Sequence, residues 1–250
     1  MKHSKLVPLI VLKNEGLPII QIAELVINFF KKMAAVDANY SKLNIVSEKK
    51  SLYNSINIYQ SNSTEFLGNE ILNQNIDDIR KMDKVENPNI HFSMDKTIIS
   101  FALESKIGED TLATLDFCFT ISKNLKSSIG SIVVNQNCFD GFEKAIFFLE
   151  SAIESFSVNY STIKVSDRDI NKAVRGYKVP LGWITYFSND YEIPIPDDLK
   201  GIEYKHTEKG RYLILTREYI AADSEKLETY KQKLLEIMEE IKRRVPEYSK

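Results

Sequence analysis

The side chains that most often carry catalysis are sparse in this chain, and they do not form a recognisable catalytic pattern. Its three histidines, His3, His91 and His206, have no second histidine or cysteine at metal-ligand spacing, so no zinc site is predicted. A Gly-x-Ser-x-Gly nucleophile elbow and a Gly-x-x-x-x-Gly-Lys-Ser/Thr phosphate loop are both missing. Ser188 and Tyr186 could act as nucleophile and acid, but no base accompanies them in sequence. We therefore predict no catalytic residue, metal or cofactor.

Adjacent carboxylates are the other candidates for chemistry, and they occur at Asp77-Asp78, Glu109-Asp110, Asp197-Asp198 and Glu239-Glu240. Neighbouring side chains on a strand or loop point apart, whereas an acid–base pair must converge on one substrate. We interpret these pairs as solvated surface charge. The alternative is an enzyme, such as a hydrolase or transferase, with an unrecognised pocket of convergent polar groups.

The composition is that of a globular protein with no footprint for nucleic acid. The 250 residues are 43% hydrophobic and 27% charged, which disfavours wholesale disorder. A net charge of −2 gives no support for binding a phosphate backbone. The two cysteines, Cys118 and Cys138, are too few for a disulfide framework and fit a reducing compartment.

The N-terminus carries a short apolar stretch, Leu6–Leu12, that superficially resembles a signal peptide. It contains Pro8, and Lys13-Asn14-Glu15 follows where a small-residue cleavage site would be expected. No stretch approaches the roughly 18 apolar residues of a membrane span. We predict a cytoplasmic protein that does not associate with membranes.

Hydrophobic periodicity predicts one α+β domain over 1–250, with a mainly antiparallel sheet and helices packed on it. The predicted helices are Leu17–Lys32, Thr64–Met82, Phe139–Phe156, Asp167–Val174 and Asp223–Arg244. The predicted strands are Ser55–Tyr59, Ile99–Glu104, Ala113–Ile121, Ser131–Asn135, Asn159–Val165, Gly182–Phe187, Ile202–His206 and Arg211–Thr216. Two hairpins are expected. Ser105–Asp110 connects the strands of the first, and Thr207–Gly210 connects the strands of the second.

Two segments leave alternatives open. The apolar positions of the last helix step by three and four residues, which favours docking on the domain's own sheet, with a homodimer through this helix as the alternative. The segment 37–88 is rich in Asn, Ser and Lys, and its periodicity is weak. We interpret it as a surface-exposed elaboration and assign it no role.

The most informative segment runs from Gly182 to Asn189 and is followed by Gly210 through Thr216. It holds the only tryptophan of the chain and two of its nine glycines. With Pro180-Leu181 before it and Ile195-Pro196 between its halves, this pattern resembles the signature of the immunity protein 52 family of bacterial polymorphic toxin systems. The resemblance covers about 157–244, and its motif residues are Gly182, Trp183, Tyr186, Ser188, Gly210 and Thr216.

The resemblance implies a cytoplasmic antitoxin that binds a cognate toxin and has no cofactor or catalysis of its own. Members of the family are associated with restriction-endonuclease-type nuclease toxins, often delivered between cells by secretion systems such as type VI. A nuclease presents a positive groove, which an acidic, aromatic surface can cover. The expected partner is thus the toxin, with no direct contact to nucleic acid.

Within the motif, structural roles are expected at two residues. Trp183 should pack in the core with a partner for its indole N–H, and Gly210 should supply a turn with positive φ. The predicted toxin contacts follow from aromatic side chains beside carboxylates, and they are Tyr186, Ser188, Asp190, Asp197 and Asp198.

Overall fold

The structure is a computed structural model that describes residues 5–13, 17–46, 54–92, 97–107, 110–120, 130–134, 139–166, 168–173, 177, 181–220 and 224–248. Within these ranges it contains ten strands and five α-helices, which confirms the α+β class. The strands are β1 (Lys5–Leu12), β2 (Lys42–Val46), β3 (Asn54–Asn57), β4 (Ile98–Ile107), β5 (Asp110–Thr120), β6 (Gly130–Val134), β7 (Val158–Ser166), β8 (Ile184–Ser188), β9 (Glu203–His206) and β10 (Gly210–Ile214). The helices are α1 (Ile19–Val36), α2 (Ser63–Asp83), α3 (Phe142–Ser155), α4 (Arg168–Ala173) and α5 (Ser224–Arg244).

Contacts divide the chain into two compact units, each assembled from separate segments. The motif unit comprises Met1–Leu9, Phe139–Phe147 and Asn159–Lys250. The α2 unit comprises Ile10–Cys138 and Phe148–Val158. The contacts therefore group the chain into two units, and the single domain over 1–250 stays a prediction.

The motif unit is built on strands in the order β1-β7-β8-β10-β9. The pairs β7–β8, β8–β10 and β10–β9 are antiparallel, with Tyr212 opposite Tyr186 in one pair and opposite Lys205 in the other. The predicted second hairpin is confirmed, and Thr207 N–H closes it by donating to the Gly210 carbonyl at 2.8 Å. This arrangement places β8, which carries most of the motif, between two other strands.

The last helix, α5, buries its apolar stripe within the chain, as the favoured interpretation predicted. The buried residues are Tyr230, Leu234, Ile237, Met238 and Ile241, each at most 4% exposed. Lys233 donates from the helix to the Leu215 carbonyl, which lies just after β10. Asp223, predicted as the N-cap of this helix, lies outside the described residues. A homodimer through this stripe would require the helix to leave its own unit.

The α2 unit has the strand order β3-β2-β4-β5-β6, and every pair in it is antiparallel. The predicted β4–β5 hairpin is confirmed, with Phe101 opposite Phe117 and their rings stacked 5.0 Å apart. In α1, the polar residues that recur every three or four positions are exposed, while Ile22, Val26 and Phe29 are at most 1% exposed. The apolar sides of α1 and of the sheet together form this core.

The segment 37–88 corrects the prediction of a surface elaboration, because it supplies β2, β3 and α2 to the α2 unit. Its side chains that are at most 2% exposed are Leu43, Ile45, Ile56, Ile58, Leu67, Ile71 and Ile79. Gly68 lies where a Cβ would be 3.6 Å from Ile20 of α1, so the two helices pack closely there. The segment is therefore part of the core.

The apolar N-terminal stretch is also structural, since it forms strand β1. Leu6 and Ile10 of this strand are fully buried. A continuous apolar run of this length is compatible with a buried strand as well as with a signal peptide, and periodicity alone does not distinguish them.

The helix α2 is fixed to the sheet by a buried amide. Asn75 is 5% exposed, accepts from the Ser100 N–H at 3.1 Å and donates to the Ser100 carbonyl at 3.1 Å. Its amide also donates to the Ile71 carbonyl at 2.8 Å. The three hydrogen bonds of the buried Asn75 side chain set the position of α2 on β4. The opposite face of α2 therefore points outward.

Candidate functional site

Trp183 links the two halves of the motif. Its side chain is fully buried, and its indole N–H donates to the Thr216 carbonyl at 2.8 Å across 33 residues of sequence. The ring makes edge contacts with Phe142 and Tyr219, both at 6.0 Å between centroids. The predicted core position of Trp183 is confirmed, and the partner that its N–H needs is a backbone carbonyl of the motif itself.

Gly182 allows β8 to approach β7 closely. A Cβ at this position would overlap the Thr162 hydroxyl and the Ile163 carbonyl, lying 2.8 Å from the carbon of that carbonyl. The Gly182 N–H donates to the Thr185 hydroxyl at 2.9 Å, and Thr185 lies 3.2 Å from the Thr162 hydroxyl. The glycine is required by this close approach.

Gly210 has a similar role, which corrects the prediction of a turn with positive φ. Among the described glycines only Gly201 has a positive φ, whereas Gly210 is the first residue of β10, opposite Ser188. A Cβ at Gly210 would overlap the Phe187 carbonyl and would lie 2.7 Å from the Tyr186 hydroxyl. A residue larger than glycine does not fit at position 210, because the Tyr186 phenol lies over it.

Tyr186 and Ser188 are buried, so the structure removes both from the predicted set of partner contacts. Tyr186 is 1% exposed and its hydroxyl donates to the Lys209 carbonyl at 2.9 Å. Ser188 is 6% exposed and its hydroxyl donates to Asn159 Oδ1 at 3.1 Å. Burial raises the pKa of Tyr186, and the negative charge of Asp190 adds to the effect. Both side chains hold β8 in place through hydrogen bonds within the chain.

The loop after β8 holds the other predicted contact residues, and Asp190, Asp197 and Asp198 are all exposed. The Tyr204 hydroxyl fixes the loop by accepting from the Leu199 N–H at 2.9 Å and donating to the Pro196 carbonyl at 3.1 Å. These hydrogen bonds fix the backbone on both sides of Asp197 and Asp198.

Ion pairs engage one carboxylate of this loop, Asp198, and a neighbouring carboxylate of β9, Glu203. Arg244 binds Asp198 at 2.6 Å and Glu240 at 3.3 Å. Arg217 donates to Glu203 at 2.8 Å, and this hydrogen bond is the main cause that lowers the pKa of Glu203. The motif unit thus presents mixed charge in this region, and Asp198 is already engaged within the chain.

Groups that could carry chemistry do not converge in the described part of the chain. Within it, no group of three or more His, Cys, Asp or Glu side chains is placed to hold a metal ion. Cys118 is a half-buried free thiol whose pKa is raised by burial. None of the helices in the described ranges is long and apolar enough to cross a bilayer. His3 and Cys138 lie outside these ranges.

The α2 unit carries a set of exposed apolar side chains that was not predicted from the sequence. Among the described residues, the exposed large hydrophobic side chains are Val36, Tyr59, Phe66, Met82 and Ile98, and all five belong to this unit. The sequence of α2 could have drawn attention to this surface, because from Ser63 to Ile79 it carries acidic residues and no lysine or arginine.

Comparison with known proteins gives a fold relative and no family assignment. No protein-family model matches the chain, and no match is found among curated proteins. The chain is similar in structure to the Pseudomonas aeruginosa T6SS protein PA0821, with a TM-score of 0.51 and 9% identity, over 92% of this chain and 76% of that chain. At this identity the likeness concerns the fold alone. The resemblance to the immunity protein 52 family therefore rests on the motif residues.

Proposed function

We propose that this chain is an immunity protein that binds and neutralises a cognate bacterial toxin. The observation that carries the proposal is the hydrogen bond between Trp183 and Thr216, which joins both halves of the immunity-type motif in one buried unit. This contact makes the spaced motif residues parts of one packed unit. Gly182, Tyr186 and Gly210 add to the same argument, since each fits closely against its neighbours.

The part of the proposal that the structural neighbour supports is an association with type VI secretion. PA0821 is named as a T6SS protein, and its similarity extends over 92% of this chain. Toxins delivered between cells by such systems require a neutralising protein in the producing cell. The proposed toxin is a restriction-endonuclease-type nuclease, and the proposed compartment is the cytoplasm, where such a toxin would reach nucleic acid.

Neutralisation would occur by covering the nuclease groove or by distorting it, without a cofactor. Asp190, Asp197 and Asp198 are the predicted contact residues whose side chains are exposed. A net charge of −2 for the whole chain means that charge complementarity with a basic groove must be local. Association with a basic partner should then be fast and weakened by salt.

Co-expression with the toxin-like product of the adjacent gene tests this function. The full chain should restore growth of cells that express the toxin and should co-purify with it. The Gly210→Ala variant, which is expected to disrupt the motif unit, should fail in both assays, whereas Gly141→Ala should behave as wild type. Failure of the wild-type chain to bind the toxin would overturn the proposal, as would catalytic turnover by the isolated chain that one substitution abolishes.

A further inference from the structure

The outward side of α2 combines carboxylates with exposed aromatic side chains, and one of its carboxylates, Glu70, is half-exposed. We define the α2 face as Tyr59, Glu65, Phe66, Glu70 and Asp77. On a helix with 3.6 residues per turn, the last four of these share the half opposite the buried Leu67, Ile71 and Asn75. From Glu65 to Asp77 this face extends about 18 Å, a length suited to one side of a standard protein interface.

Two carboxylates of the α2 face, Glu65 and Glu70, have no lysine or arginine three or four residues away on the helix, whereas Asp77 precedes Arg80 and Lys81 at these spacings. Among the residues that the structure describes, neither Glu65 nor Glu70 takes part in an ion pair. A helix face that only meets solvent commonly interleaves acidic and basic residues at i and i+4. The α2 face therefore presents a local negative field despite the small net charge of the chain.

Two exposed aromatic side chains lie at the N-terminal end of the same helix. Tyr59 is 61% exposed and Phe66 is 36% exposed. The turn before α2 is fixed on the helix because the Ser63 hydroxyl donates to the Ile58 carbonyl at 3.2 Å. Phe66 lies in the first turn of α2, and Tyr59 lies in the turn just before the helix, so both belong to its N-terminal end. Exposed aromatic side chains cost solvation in the free protein and supply binding energy in a complex.

We infer that the α2 face is the surface on which the toxin docks, through a basic region of the toxin that also offers an apolar contact for Tyr59 and Phe66. This inference rests on the proposed function and deepens it by placing the main contact in the α2 unit. Charge complementarity decides the occupant, since the uncompensated carboxylates of Glu65 and Glu70, near the aromatic end of the face, repel an acidic surface and attract a basic one. The aromatic pair would anchor the complex, and the carboxylates would steer its formation.

The test measures binding of the full chain to a catalytically inactive form of the toxin from the adjacent gene, by surface plasmon resonance at low and high salt. The double variant Tyr59→Ala/Phe66→Ala should bind at least about 30-fold more weakly, mainly through faster dissociation. The variant Glu65→Lys/Glu70→Lys should associate about tenfold more slowly at low salt and should lose most of its salt dependence. Circular dichroism and the thermal midpoint of each variant establish that it is folded.

The loop substitutions Asp190→Lys/Asp197→Lys test the other candidate contact, the exposed carboxylates after β8, and should weaken binding less than either α2 variant if the α2 face is the main contact. If the wild-type chain binds but both α2 variants bind as tightly as it does, the inference is wrong while the proposed function stands. If only the loop variant loses binding, the contact lies in the motif unit, and the inference is likewise overturned. If the wild-type chain binds no toxin, the proposed function fails and the inference fails with it.

Discussion

The motif unit and the α2 unit use similar residue types in opposite ways. In the motif unit the aromatic and hydroxyl side chains of the recognisable pattern, such as Trp183, Tyr186 and Ser188, are buried and hydrogen-bonded within the chain. In the α2 unit, Tyr59 and Phe66 are exposed beside carboxylates that have no ion pair in the described residues. The segment with the clearest sequence signal is therefore largely buried, and the segment with the weakest signal carries the exposed aromatic side chains.

This difference teaches where to look for function in a binding protein without catalytic chemistry. A spaced pattern of Gly, Trp, Tyr and Ser indicates positions where packing allows few alternatives. Partner contacts require exposure, and they are marked by aromatic or charged groups that the chain itself does not satisfy. The following predictions test both sides of this comparison.

The largest expected effect is that of Gly210→Ala. The new Cβ would overlap the Phe187 carbonyl and press on the Tyr186 phenol, so β8 and β10 would have to separate. We expect a loss of about 3 kcal/mol in the free energy of unfolding of the motif unit. Denaturant unfolding followed by the fluorescence of Trp183, the single tryptophan, measures it.

The matched control is Gly141→Ala, because a Cβ there has no atom within 4 Å. Its effect should stay within about 0.5 kcal/mol. Equal effects of the two substitutions would contradict the close-approach role assigned to Gly210.

The next effect concerns the anchor of α2. Asn75→Ala removes three hydrogen bonds and leaves the N–H and carbonyl of Ser100 without their buried partner, so we expect a loss of about 2–3 kcal/mol. Asn69→Ala is the control, since Asn69 also donates to the carbonyl four residues earlier but is exposed. Far-ultraviolet circular dichroism during urea unfolding should separate the two variants, and a neutral Asn75→Ala would show that α2 is positioned in another way.

Stability at high pH gives a smaller effect that belongs to the motif unit. Burial raises the pKa of Tyr191 to about 12, helped by the charge of Glu192. Burial and a hydrogen bond to Glu239 raise that of Tyr177 to about 12. An unfolded tyrosine has a pKa of about 10, so the folded state holds these protons more tightly. The stability that they contribute is therefore complete below pH ~10 and is lost as the pH rises to ~12.

The double variant Tyr177→Phe/Tyr191→Phe should show a shallower loss of stability over this pH range in urea titrations. Tyr59→Phe, which changes an exposed side chain of the α2 unit, should follow the wild-type curve. A double variant with the wild-type slope would mean that these two hydroxyls do not govern the alkaline loss.

The smallest effect is expected from the surface ion pair of the loop. Asp198→Ala removes one partner of Arg244, whose other partner Glu240 stays in place. Exposed ion pairs contribute about 0–1 kcal/mol, so the thermal midpoint should shift by only a few degrees at low salt and less at high salt. A loss comparable to that of Gly210→Ala would show that the loop is held mainly by this pair.

Regular periodicity made much of the fold predictable from the sequence. The alternation in β4 and β5 and the polar spacing in α1 each correspond to an element that the structure contains. Strand β2 was missed because only Leu43 and Ile45 mark it in a polar segment, and β1 because a continuous apolar run does not distinguish a strand from a signal peptide. Short strands of this kind depend on partners distant in sequence.

The site was harder to predict for the same reason. The burial of Tyr186 depends on Lys209, whose carbonyl accepts a hydrogen bond from the Tyr186 hydroxyl. The conformation of Gly210 depends on β8, because Gly210 pairs with Ser188 of that strand. Both relations join residues more than twenty positions apart. The charge of α2, in contrast, could be read from the sequence. Which face of α2 is exposed depends on how Asn75 attaches the helix to the sheet.

The most direct test of the comparison is hydrogen–deuterium exchange of the full chain, alone and saturated with the inactive toxin of the adjacent gene. We predict that binding slows exchange in 58–78, around the α2 face, and leaves 182–188 and 210–216 unchanged, because those strands are already buried. Slower exchange confined to 189–198, or no change anywhere in the presence of the toxin, would contradict the account.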